Sequence, residues 1–160
     1  MEWAHDDFTI VLVAQWTGQD IETFLLKAEL TDPYSGINFY ANVPTVGHVR
    51  SYLTAGQDLV TDGDGFSDGH PHVVVTRRAG FTAEIRVDGQ PAVKNTFADI
   101  ADVSAPGADM LIGTGIRGAA FGFQLTGQVS EIIAIHGELS DANLAALESR
   151  LMARYLVLPP

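Results

Sequence analysis

The sequence predicts an all-β sandwich closed by a single C-terminal helix. Three observations lead there. Short apolar segments alternate with polar residues at period two along most of the chain. Glycine, proline and aspartate punctuate these segments at short intervals, as turns between strands require. Only the stretch after Ser140 repeats its apolar residues with helical spacing.

The elements follow in order. Asp7 to Trp16 (DFTIVLVAQW) is rich in β-branched and aromatic residues and stops at the turn signal Thr17-Gly18. Thr23 to Leu30 is a second strand, closed by Asp32-Pro33 and Ser35-Gly36. Ile37 to Val43 and Val46 to Leu53 form a hairpin around Pro44-Thr45. A polar glycine-rich loop, TDGDGFSDG, spans Thr61 to Gly69. A second hairpin follows, with strands His72 to Arg77 and Phe81 to Val87 around Ala79-Gly80. After Pro91 the chain loosens until Met110 to Gly113, a short buried strand. Thr114 to Gln124 reads as a glycine-rich loop, and Gln128 to His136 as a strong strand. Ser140 caps the helix, Asp141 sits in its first turn, and Arg150 and Arg154 stand near its end, as the helix dipole favours. Leu144, Leu147, Leu151 and Met152 give that helix one apolar face.

Composition narrows the function. The 160 residues suit one domain with one sizeable core, and 46% apolar content argues against disorder. Twenty acidic and 9 basic residues leave a net charge of −11, which repels phosphate backbones and anionic lipid. Nucleic acid and membrane insertion are therefore not expected. There is no cysteine, hence no disulfide framework and no thiolate chemistry. The opening residues MEWAHDDFTI lack the basic and apolar regions of a signal peptide.

The order of signals resembles the concanavalin A-like, laminin G-like jelly-roll family. DGHPHVVVTRR followed by FTAEIRVDGQPA is similar to that family's Asp-Gly, Trp-His, hydrophobic strand, then a strand ending in Val-Asp-Gly. MLIG at 110–113 is similar to its Leu-x-Ile-Gly strand, and FQLTGQVSEIIAIHGELSDANLAALESRLMARY to its closing strand and last helix. With DFTIVLVAQW, the likeness covers most of the chain, so residues 1–160 are expected to form one such domain. The resemblance implies a two-sheet antiparallel jelly-roll sandwich, and a structural place for His72. It departs in two places. Pro71 stands where the family has tryptophan, and only six residues precede Asp7, too few for the strand that usually opens the fold. An unpaired sheet position invites self-association or a strand lent by a partner.

No catalytic set emerges. Jelly-roll glycosidases place paired carboxylates on one strand face, whereas Glu84 and Asp88 flank a strand with Asp88 in its turn, and Glu131 stands alone. No Gly-x-Ser-x-Gly elbow exists. Asp62, Asp64 and Asp68 offer hard oxygens in one flexible loop, which suits calcium; turn formation accounts for the same residues. His70 and His72 share one strand face, open to a metal or to a structural role. Tyr34, Asn38, Tyr40, His48, Arg50 and Tyr52 cluster around the 37–53 hairpin. Asn38, Tyr40 and Asn42 alternate with Ile37, Phe39 and Ala41, so one face is polar-aromatic, while His48, Arg50 and Tyr52 share one face of the next strand. Aromatic rings beside amide and guanidinium groups suit a glycan, although an outward polar face is also the default of a sandwich.

These features point to a non-catalytic surface binding or structural module. The first reading is a virion-type assembly component: a decoration, fibre or tail protein of a bacteriophage-like particle. It would sit on the particle surface beside protein neighbours or further copies of itself, and lysis would release it without a signal peptide. The alternative is a carbohydrate-binding module using Asn38, Tyr40, His48, Arg50 and Tyr52, with calcium at Asp62, Asp64 and Asp68. Such a module would be extracellular, free or part of a larger secreted protein.

Overall fold

A computed structural model describes residues 3–29, 35–54, 56–117, 120–155 and 157. In chain order the described strands are β1 (Phe8–Trp16), β2 (Glu22–Glu29), β3 (Ser35–Ala41), β4 (Val49–Thr54), β5 (Gln57–Val60), β6 (His72–Ala79), β7 (Thr82–Val87), β8 (Val93–Thr96), β9 (Leu111–Ile112), β10 (Gly115–Arg117), β11 (Ala120–Gly122) and β12 (Gly127–His136). The helix α1 (Asp141–Tyr155) follows. Two five-stranded antiparallel sheets stack, one in the order β12-β1-β6-β7-β8, the other β5-β4-β3-β2-β9. The all-β sandwich with a C-terminal helix is thus the observed fold.

The main core lies between the sheets. Ile10, Leu12, Ala14 and Trp16 of β1 face Phe24 and Leu25 of β2, Ile37, Phe39 and Ala41 of β3, and Val49 and Leu53 of β4 within one buried cluster. The opposite face of β1 is buried too. Val11 and Val13, with Val73 and Val75 of β6, pack against Leu144 and Leu151 of α1. A strand covered on both faces can be apolar at every position, which is why β1 reads as a continuous run. Ser140 Oγ accepts from the Asn143 amide, so the expected cap forms.

Some expectations need correction. The Thr114–Gln124 stretch is not a plain loop, because β10 and β11 pair within it. Met110 to Gly113 is not buried: β9 is an edge strand, and Ile112 is half exposed. The chain after Pro91 forms β8 against β7, and β5 was not foreseen at all. β1 pairs with β12 on one side and β6 on the other, and among the described residues β12 ends that sheet with no strand on its outer side. The turn at Asp32-Pro33 falls outside the described residues.

Candidate functional site

The outer face of the second sheet holds a cavity of about 450 Å³. Three neighbouring strands supply its floor. Leu26 and Ala28 come from β2, Asn38 and Tyr40 from β3, Arg50 and Tyr52 from β4. Strand alternation puts them there, because Ile37, Phe39, Val49 and Leu53 between them point into the core. Register aligns them across the sheet: Leu26 faces Asn38, Asn38 faces Tyr52, and Tyr40 faces Arg50. Ile21, Val43, Ile116 and Phe123 form the walls.

The walls are set by local chemistry. Asn42 adopts φ 62°, a conformation that asparagine tolerates better than most residues. Its buried amide donates to the carbonyls of Gly18 (3.0 Å) and Asp20 (2.8 Å) and accepts from the Gly47 amide (2.9 Å). That clasp ties the loop carrying Ile21 to the loop after Val43. On the other side the β10–β11 hairpin leans on β2. The Thr23 amide donates to the Phe123 carbonyl at 2.8 Å. A Cβ at Gly115 would lie 2.6 Å from Thr23 Oγ1, so only glycine permits this approach. Phe123 meets Tyr40 edge to face, centroids 6.3 Å apart.

The floor mixes charge with apolar surface. Arg50 pairs with Asp58 at 2.7 Å and lies 5.4 Å from the Tyr52 ring centre. Asn38 is buried, and among the described residues its Oδ1 has no hydrogen-bond partner. A cavity with aromatic and aliphatic walls and a few convergent polar groups suits a ligand that is itself amphipathic, as a sugar ring is.

Asn38, Tyr40, Arg50 and Tyr52 are therefore brought together, as the hairpin pattern suggested. His48 is not among the lining residues: it lies just before β4, and its Nδ1 sits 3.0 Å from the Thr45 hydroxyl. Tyr34 falls outside the described residues. Ile21, Leu26, Ala28, Val43, Ile116 and Phe123 were missed. Leu26 and Ala28 could have been found by extending the alternation of β3 to its neighbour; the wall residues could not, because turns place them.

Asp64 and Asp68 border one small cavity, whereas Asp62 borders another. Among the described residues no three acidic or histidine side chains form a metal-holding group. Asp68 accepts from the His70 amide and pairs with His72 Nε2 at 3.1 Å. His72 Nδ1 meets Asp88 Oδ2 at 2.6 Å, and its ring lies edge-on to Trp16 and Phe66. Burial disfavours the charged ring, but the hydrogen bonds and charges of Asp88 and Asp68 outweigh it and hold the His72 pKa above the ordinary histidine value. His72 thus joins the loop to the turn after β7.

No protein-family model matches the sequence, and no curated protein matches it. Solved structures do. The chain is similar to the CBM40 carbohydrate-binding module of Ruminococcus gnavus IT-sialidase, with a TM-score of 0.72 and 18% identity, over 91% of this chain and 84% of that one. The same module bound to α2,3 sialyllactose matches at TM-score 0.72 and 16% identity, over 91% and 83%. The binding domain of botulinum neurotoxin DC in complex with SialylT matches at 0.62 and 10%, over 92% of this chain and 36% of that one. The likeness is one of fold. It supports the two-sheet β-sandwich and does not fix a relation to the concanavalin A or laminin G family.

Proposed function

We propose that the protein is a non-catalytic carbohydrate-binding module whose glycan sits on the outer face of β2, β3 and β4. One observation carries the reading: Asn38, Tyr40, Arg50 and Tyr52 converge on one cavity that is otherwise apolar. Tyr40 and Phe123 offer ring faces to the C–H side of a sugar, and Asn38 and Arg50 offer partners to its polar side. The fold neighbours support the same reading, since they include a sialidase CBM40 and the same module bound to α2,3 sialyllactose. Arg50 gives the cavity a guanidinium group suited to the carboxylate of a sialylated glycan. The virion assembly reading draws no comparable support, and an extracellular setting fits a glycan reader better than a particle surface does.

Titration calorimetry with sialyllactose, and with lactose as the uncharged control, tests this. Tyr40→Ala should weaken binding about tenfold or more through lost ring contact. Arg50→Ala should weaken sialyllactose by about tenfold or more and lactose far less, because only the former carries a carboxylate. Binding that ignores both substitutions, or no binding of either sugar with or without calcium, would remove the proposal.

A further inference from the structure

We infer that the outer edge of β12 is a self-association surface, along which a second copy of the chain adds its own β12 antiparallel and continues the first sheet across a dimer. The two sheets end in four edge strands, β12 and β8 in one, β5 and β9 in the other. Three of them are guarded in the ways that natural sheets use against pairing. β8 has 4 residues and carries Lys94; β5 has 4 and carries Asp58, held by Arg50. β9 has only 2. In contrast, β12 runs for 10 residues, GQVSEIIAIH, with no proline, lysine or arginine. One side of it pairs with β1 from Gly127 to His136, with a bulge at Ser130 where the register shifts between Val13 and Ala14. Among the described residues no strand pairs with the other side.

The side chains agree with an edge awaiting a neighbour. Val129, Ile132, Ile133 and Ile135 are only half buried, although Ile132 packs on the main core and Ile133 on the helix cluster. A further strand would cover the remaining apolar surface on both faces of the sheet.

The occupant is a second copy because the strand complements itself. Its one carboxylate, Glu131, is turned onto α1, where Arg154 Nη1 lies at 3.0 Å and the Tyr155 hydroxyl at 2.9 Å. A two-fold antiparallel pairing centred on Ile132 sets Glu131 against Ile133, Ser130 against Ala134 and Gln128 against His136. No like charges meet, and the interface is isologous. Each copy carries a net charge of −11, so long-range repulsion opposes the dimer and added salt strengthens it.

Sedimentation velocity over a concentration series, at low and high salt, tests the inference with the full chain. The wild type should show a reversible dimer whose population grows with salt. The variant Ser130→Lys with Ala134→Lys alters two exposed positions of β12. It lowers the net negative charge of the molecule, yet sets lysines against each other across the pairing. Its dimer should be weaker by more than about tenfold, since opposed like charges at an interface are strongly unfavourable. Circular dichroism confirms that the variant folds, and Ser130→Glu with Ala134→Glu, which sets carboxylates against each other across the same pairing, replaces it otherwise. A wild type that stays monomeric at every concentration and salt overturns the inference. So does a dimer that persists unchanged in the lysine variant.

Discussion

His72 joins two carboxylates from different parts of the chain, and its charge state sets how firmly they are joined. The folded pKa lies above the unfolded value of about 6.5. The stabilisation is therefore complete below that value and fades as the pH rises through the folded pKa. Asp68 behaves in the opposite sense at the acid end. Burial raises its pKa, the His70 amide and His72 lower it more, and the net depression means its contribution is lost as the pH falls through the folded value. Urea unfolding of wild type and His72→Gln across neutral pH should give a stability difference that shrinks as the pH rises above about 6.5. A difference independent of pH would contradict this account. Asn42 makes a second residue-scale prediction. Asn42→Ala leaves two loop carbonyls and one buried amide without partners and puts alanine at positive φ. It should cost about 2–3 kcal/mol in denaturant unfolding. Asn38 and Tyr40 were legible from alternation with Ile37 and Phe39 alone. The same alternation put Asn42 on that outward face, whereas it is buried in the loop clasp, because its role lies in backbone conformation and in carbonyls more than twenty positions away.

At the level of elements, α1 is held to the first sheet by packing, by Arg86 of β7 on buried Glu148 at 2.6 Å, by Arg154 and Tyr155 on Glu131, and by buried Arg77. Arg77 of β6 donates to the Leu139 carbonyl and to Asp141 at the helix start, both at 2.6 Å, and pairs with buried Glu84 at 2.9 Å. Lys94 of β8 reaches Glu84 from the other side, also at 2.9 Å. Arg77→Met keeps the length of the side chain but leaves Glu84 with Lys94 alone. Thermal and denaturant unfolding should register a loss of about 3 kcal/mol, the usual result of breaking a buried pair from one side. A loss well under about 1 kcal/mol would mean that the helix is held by Leu144 and Leu151 without help from the ion cluster. The strands that alternate or run apolar, β1, β3, β4, β6 and β12, were legible because one or both faces meet a core. The short strands β5, β8, β10 and β11 were not. They bury little, and β10–β11 exists because Gly115 lets it rest on Thr23, a contact that no local pattern encodes.

On the scale of the whole molecule, two sheets present different outer faces. The first carries α1, whose Leu144 and Leu151 cover the valines of β1 and β6. The second carries the cavity between β2, β3, β4 and the β10–β11 hairpin. The fold class was legible because strand spacing and a terminal helix repeat along the entire sequence. The position of the cavity was legible in part, since its floor follows strand alternation and its walls follow turns. The acidic surface of the chain disfavours anionic ligands at long range, so a sialylated glycan would depend on the local charge of Arg50 and on apolar contact. The central claim is that this face reads a glycan. Amide and side-chain NMR shifts, followed while sialyllactose is added, test it most directly. The account predicts shifts confined to Ile21, Leu26, Asn38, Tyr40, Arg50, Tyr52 and Phe123, saturating with one dissociation constant. Shifts clustered on α1 or on the His72 loop, or none at all, would contradict it.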